Sequence, residues 1–211
     1  MNDKTKVAIN LDSETRLLAA IAYGESSTKD VYEEMAALAS VMVRQRKARG
    51  YKTIDEFTRT DRQFSFVVSD GNLRFKLLMK ATEADIEKRS AMRDAVKAAR
   101  NALDGGVDYS NGAFFWDGAD IKTNFKNHYK VTHGGVHVTD PKHNIYGIPN
   151  IDEVQILYKN MRKRVQGKEV QAREEVGRFT YAYESTAAHG GTIFWKLNAD
   201  YLKVTRGKEY K

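Results

Sequence analysis

Apolar residues recur at helical spacing along the first half of the chain and in shorter, punctuated runs along the second. Leu17, Leu18, Ile21 and Ala22 are separated by one, three and one positions, which lines one face of a helix over residues 12–23, with Asp12 or Ser13 placed to cap it. Val31, Met35, Leu38 and Met42 repeat the pattern over residues 30–49, where Asp30 and Glu33 stand in capping-box register and Gly50 closes the helix. Arg44, Arg46, Lys47 and Arg49 load its last turns with positive charge, as the helix dipole favours. A short helix is expected at 53–57. A longer one is expected at 85–103, with Met92, Val96, Ala99 and Leu103 on one side and Gly105-Gly106 as the stop. Residues 61–71 read as an ordered loop with buried aromatics.

The texture changes after Gly106. Ala113-Phe114-Phe115-Trp116 and Val136-His137-Val138 are short β-prone runs separated by Asp-Gly, His-Gly-Gly and Asp-Pro punctuation. Val154, Leu157 and Met161 predict one further helix over residues 152–165. The tail predicts strands at 179–183 and 192–197, joined around His189-Gly190-Gly191, and a third strand at 201–205. The expected fold is α+β, a mainly helical lobe with a small antiparallel β appendage. No linker composition divides the chain, so a single domain is expected, with the main body in residues 1–150 and a C-terminal helix and β extension in 151–211.

Composition narrows the classes. With 211 residues and 41% hydrophobic content, the chain can bury one good core. No run approaches the roughly 18 apolar residues that a membrane span needs. The N-terminal residues lack the apolar core of a secretory signal, so synthesis in the cytoplasm and delivery by another route are expected, unless a signal was trimmed. Cysteine is absent, which removes disulfides and thiol chemistry. A formal charge of +7 and a pI near 9.4 favour a polyanionic partner: nucleic acid, an anionic membrane or an acidic cell-wall polymer. Composition does not choose among the three.

The sharpest chemical feature is Glu25. It follows Ile21 by four residues, so it projects from the apolar face at the end of the first helix and into a small-residue turn, Ser26-Ser27. A partly desolvated carboxyl there has its charged form disfavoured and suits proton donation near neutral pH, as in glycoside cleavage. The competing role is a helix-terminal carboxylate that caps backbone N–H groups.

From residue 17 to residue 116 the pieces resemble, in order, the SleB-like cell-wall hydrolases, the spore-cortex-lytic type of peptidoglycan-cleaving enzyme. They are Ala22-Tyr23-Gly24-Glu25, the Ala- and Val-rich helix from Met35 to Arg44, Gln63-Phe64-Ser65 followed by Ser69-Asp70-Gly71, an Ala-rich helix ending at Gly105-Gly106, and the aromatic run at 113–116. Lys142-His143-Asn144-Ile145-Tyr146 echoes the family's closing strand. Glu25-Ser26 also looks like the Glu-Ser pair of soluble lytic transglycosylases, whose lysozyme-like fold is similar, although their Gly-Leu-Met-Gln segment is missing here. The stretch from 116 to 143 is longer and richer in Lys and His than the family pattern, and residues 151–211 have no counterpart.

The resemblance implies cleavage of the β-1,4 bond between N-acetylmuramic acid and N-acetylglucosamine, without a cofactor and with Glu25 as catalytic acid. Ordinary inverting and retaining hydrolases need a second carboxylate. A lytic transglycosylase does not, because the muramoyl 6-hydroxyl attacks the oxocarbenium-like centre and one Glu serves as acid, then base. Asp70 is the candidate second acid, with a turn role beside Gly71 as the alternative. Ser26 or Ser65 would orient Glu25 or the N-acetyl group, with cap or turn roles equally open. Gln63 has the donors and acceptor to grip an acetamido group. Tyr23 is a candidate cleft wall with a core alternative, and on the aromatic strand either Phe115 or the Phe114/Trp116 pair can face sugar while the remainder packs inside. The implied partners are peptidoglycan glycan strands and a cognate immunity or inhibitor protein, with no nucleic acid and no membrane span. The implied settings are a phage lysis cassette or an antibacterial effector acting on the wall from the periplasmic or extracellular side.

Two other readings compete. His128, His133, His137 and His143 fall within sixteen residues, with Asp140 among them, which allows a metal-dependent wall hydrolase. The basic stretches at 44–49 and 159–168 allow a nucleic-acid-binding module, although no recognised motif accompanies them.

Overall fold

The structure is a computed structural model that describes residues 11–211. It has an α+β fold, 45% helical and 20% strand. Two compact units are present: one runs to Gly112 and takes in residues 187–192, and the other comprises residues 113–186 and 193–211.

The first unit is helical. α1 (Ser13–Glu25) is capped by Asp12, whose side chain accepts from the Thr15 N–H at 2.8 Å and from its hydroxyl at 2.7 Å. Those bonds hold the Asp12 carboxyl below the usual aspartate range, the Thr15 backbone bond first. Leu18 to Gly24 are all buried, so this part of α1 is enclosed on every side rather than along one stripe. α2 (Tyr32–Ala48), α5 (Leu73–Lys80) and α7 (Ser90–Leu103) surround it. The core is built from Leu18 and Ile21 of α1, Met35, Leu38 and Met42 of α2, Phe57 of α3 (Ile54–Thr60), and Met92 of α7.

Several predicted boundaries shift. Asp30 does not cap α2: it sits at φ 55°, and Val31 occupies the cap position without a side-chain bond. The loop at 61–71 contains a short helix, α4 (Phe66–Ser69); Phe64 is buried there, whereas Phe66 is exposed. The helix expected at 85–103 is broken at Arg89, which is extended, into α6 (Glu83–Lys88) and α7. Thr82 and Asp85 form the capping box that starts α6.

The second unit holds a sheet of order β1-β6-β5-β2, comprising β1 (Phe115–Asp117), β2 (Val136–His137), β5 (Tyr183–His189) and β6 (Thr192–Leu197). β1 and β6 are antiparallel, while β2 joins β5 in parallel, so this small sheet is mixed. The turn of the β5–β6 hairpin belongs to the first unit. Short helices α8 (Asp120–Thr123) and α9 (Tyr129–Thr132) lie between β1 and β2. The apolar centre includes Ile121, Val136, Phe194 and Trp195.

The helix expected at 152–165 is a strand. β3 (Gln155–Val165) pairs antiparallel with β4 (Lys168–Phe179) in a separate two-stranded sheet. Val154, Leu157 and Met161 match helical spacing, but Ile156 and Tyr158 supply a competing alternation. Gln166-Gly167, at φ 49° and 82°, makes the two-residue hairpin turn that decides between them. The strand expected at 201–205 is instead α10 (Ala199–Thr205), because the Asn198 side chain caps it by accepting from the N–H groups of Asp200 and Tyr201.

Candidate active site

Glu25 is the last residue of α1 and is half-buried. The turn that follows is fixed from three directions, all within the first unit. From the cap of α5, the Asn72 amide donates to the Gly24 carbonyl at 2.8 Å. The Arg74 guanidinium donates to the Tyr23 carbonyl at 2.8 Å, to Ser26 Oγ at 3.2 Å and to Asp30 Oδ1 at 2.7 Å. It also lies 3.9 Å from the centroid of the Tyr23 ring, a cation–π contact. Ser26 is buried, and its hydroxyl donates back to the Tyr23 carbonyl at 3.1 Å.

The third support is Glu34, on α2 and fully buried. Its carboxylate accepts four bonds: from Ser27 N–H at 3.1 Å, Ser27 Oγ–H at 2.7 Å, Gly191 N–H at 2.9 Å and Thr192 Oγ–H at 2.8 Å. Lys29 adds a bond to the Gly190 carbonyl at 3.0 Å. Gly190 is at φ +57°, and a Cβ there would stand 2.0 Å from Glu34 Oε2, so the approach of this turn to Glu34 requires glycine. Sequence reasoning missed Glu34. Its only local signal is an acidic residue inside an otherwise apolar helix face, and two of its partners lie more than 150 residues away.

The other predicted residues fall into separate settings. Gln63 joins a network in which Arg49 pairs with Asp61 at 2.6 Å and donates to Gln63 Oε1 at 2.6 Å and Gln45 Oε1 at 2.8 Å. Phe64 packs in the core against Phe57, with Arg49 5.3 Å from its ring centroid. Ser65 donates to the Arg62 carbonyl at 3.3 Å and begins α4. Asp70 accepts from the Asn72 N–H at 2.8 Å, an Asx turn that positions the cap of α5. Tyr23 is buried beneath Arg74. Phe115 belongs to the second unit, edge-on to Tyr183 at 5.8 Å between ring centroids.

The histidine-rich segment is dispersed over different partners. His133 stacks on Tyr129 and bonds Thr132, while His137 stacks on Tyr181 and pairs with Asp152 at 2.8 Å. His143 Nδ1 lies 2.9 Å from Ser185 Oγ. His128 is buried, with Nε2 3.3 Å from both Asp117 Oδ1 and Asp120 Oδ2. Among the described residues, Asp117, Asp120 and His128 form a group whose donor atoms lie close enough for one metal ion. The Lys130 ammonium stands 2.7 Å from Asp117 Oδ1, so a cation already neutralises this carboxylate. The hydrogen bond to Asp117 raises the His128 pKa above the usual histidine value, against the effect of burial.

An open depression of about 490 Å³ lies elsewhere in the first unit, lined by Arg44, Lys47 and Asp108 among others, and does not include Glu25. Arg44 pairs with Asp108 there. Burial acts to raise the Asp108 carboxyl, but the bonds from Ser110 and Gly112, together with Arg44, outweigh it and hold the group below the usual range. Comparison of the chain with family models, with curated proteins and with solved structures finds no match.

Proposed function

We propose that the chain is a peptidoglycan-cleaving glycosidase that cuts the N-acetylmuramic acid to N-acetylglucosamine bond as a lytic transglycosylase, with Glu25 as acid and then base. The observation that carries this reading is the position of Glu25 at the end of a helix buried from Leu18 to Gly24, on a turn braced by Asn72, Arg74 and Glu34. A carboxyl group on a braced mount can be held at the distance and angle that proton transfer requires. Three of the carboxylates that follow along the chain already have defined work: Asp30 pairs with Arg74, Glu34 takes four donors, and Asp70 closes a turn. A single-carboxylate route therefore suits the site better than a two-carboxylate hydrolase.

In this route Glu25 protonates the departing glycosidic oxygen. The resulting carboxylate then accepts the proton of the muramoyl 6-hydroxyl as that oxygen closes onto C1. The products are a free 4-hydroxyl on one fragment and a 1,6-anhydro ring on the other. Glycan strands are the proposed substrate, and a cognate immunity or inhibitor protein that covers Glu25 is the proposed partner. Delivery to the wall by a phage lysis cassette or an antibacterial secretion system is part of the same proposal.

Digestion of purified sacculi followed by mass spectrometry tests the chemistry. Muropeptides ending in 1,6-anhydro-muramic acid are expected, and Glu25→Gln should lower the rate by ~10²–10⁴-fold while the protein stays folded. Reducing ends alone would mean a hydrolase. Near-normal lysis by the folded variant would remove the reading altogether.

A further inference from the structure

The β3–β4 hairpin takes no part in the chemistry proposed above. None of its residues from 155 to 179 is buried. An isolated two-stranded hairpin is only marginally stable in water, so one exposed on both faces is better suited to contact than to scaffolding. Its root is held within the second unit, where Phe179 packs edge-on against Tyr201 of α10 at 5.0 Å. Outward from that root, residues 155–179 carry seven Lys or Arg and three Glu, a net +4 of the whole chain's +7. Four of the cations, Arg162, Lys163, Arg164 and Lys168, crowd the Gln166-Gly167 turn.

The register separates two faces. Met161 opposes Ala172, Lys163 opposes Val170 and Val165 opposes Lys168, so one face carries an aliphatic stripe set between lysines. Asn160 opposes Arg173, Arg162 opposes Gln171 and Arg164 opposes Glu169, so toward the tip the other face is polar, with Ile156 and Tyr158 on it only near the root. Val165 and Val170 are 52% and 42% exposed, next to the basic turn.

We propose that this hairpin is an interfacial anchor whose basic turn and aliphatic face dock on an anionic lipid surface. Cations near such a surface are attracted to its headgroups, and aliphatic side chains between them enter the acyl boundary. The other occupants fit less well. One face of an arm about 36 Å long and about 10 Å wide offers well under the ~800 Å² per partner of a standard protein interface. A second copy would bring the same lysines against each other. A soluble polyanion would pair with the charges but has no use for the valines. The anchor does not depend on Glu25 or on wall cleavage.

The test is co-sedimentation of the full-length protein with vesicles of phosphatidylcholine alone and of equal parts phosphatidylcholine and phosphatidylglycerol. Binding is expected to the mixed vesicles only, weakening as salt rises. Replacing all four tip cations, R162Q, K163Q, R164Q and K168Q, should lower partitioning by at least roughly 25-fold, since Lys163 and Lys168 share the aliphatic face and each contributes roughly fivefold. Val165→Ser with Val170→Ser keeps every charge and should still cost roughly tenfold. The positions are exposed, so the melting temperature serves as a control for folding. Absence of binding to the mixed vesicles would overturn the proposal. So would equal binding to heparin with no effect of the valine changes, which would identify a free polyanion as the partner.

Discussion

Glu34 in the first unit and Asp117 in the second are both carboxylates withdrawn from solvent, and they are satisfied in different ways. Glu34 is surrounded by neutral dipoles, two N–H groups and two hydroxyls, each fixed by the backbone course of its own loop. Asp117 is met by charge, the Lys130 ammonium at 2.7 Å and the His128 ring at 3.3 Å, while its second oxygen has no hydrogen-bond partner. The first arrangement locks geometry, because moving any donor leaves a buried group unpaired. The second is held by attraction between side chains that can adjust, and it answers to pH through the histidine. A braced turn suits the proposed role of Glu25, which needs the carboxyl held still.

The largest expected effect breaks the first arrangement. Glu34→Ala leaves one buried and three partly buried donors without their acceptor and opens a cavity, so a loss of about 4 kcal/mol is expected from the unpaired groups and the cavity together. For a chain of this length that corresponds to roughly 8–16 °C in melting temperature. Glu25→Gln should melt like the parent protein. A Glu34→Ala protein that melts within a degree or two of the parent would show that the four bonds do not hold this turn.

Asp117→Asn comes next. It keeps an acceptor for Lys130 but removes the negative charge from a mostly buried pair, for which a loss of about 2–3 kcal/mol is expected. Removing the cation as well, with Lys130→Met, should recover part of that loss. If the double variant is worse than the sum of the single ones, the pair is not the unit that Asp117 belongs to.

The same difference predicts where pH dependence resides. The folded-state pKa of His128 is raised, so the stability it contributes is fully present below the unfolded value of about 6.5 and is lost as pH rises through the folded value. Melting temperatures followed upward from about pH 6 should therefore fall, and His128→Gln should flatten that part of the curve. A parent curve that rises over the same range would refute the assignment of the protonated imidazole to Asp117.

These two regions were not equally legible in the sequence. The enclosed helices announced themselves: Leu18, Ile21, Met35, Leu38 and Met42 repeat at helical spacing, and Glu25 was placed at its helix end by that spacing alone. The bracing was hidden, because Arg74 and Glu34 act on partners remote in sequence, up to 158 residues away, and no local pattern records such a bond. The C-terminal third misled for a different reason. Leu157 and Met161 satisfy a helical period by coincidence, and the turn signal that outweighs it, Gln166-Gly167, is weaker on paper than Asn-Gly or Asp-Gly. At 201–205 the β-prone residues Tyr201, Val204 and Thr205 concealed a helix that depends on Asn198 for its start. The four histidines looked like one cluster only because they are close along the chain. The fold gives each of them a different partner.

The smallest expected effect concerns Asp70, the carboxylate that would separate the two chemistries weighed for the proposed site at Glu25. Asp70 is exposed, and its side chain closes a turn by accepting from the Asn72 N–H at 2.8 Å. Asparagine offers an equivalent carbonyl oxygen in the same geometry, so Asp70→Asn should change stability by no more than about 0.5 kcal/mol. A residue with only that structural task should also leave lysis and the anhydro product untouched. A base or nucleophile cannot be replaced by an amide in this way, because the amide neither accepts the proton of an attacking water nor forms the glycosyl ester. A folded Asp70→Asn protein that loses lysis as completely as Glu25→Gln would therefore assign the second acid to Asp70. The products should then carry reducing ends. Normal rates and unchanged anhydro ends would leave Glu25 to act alone.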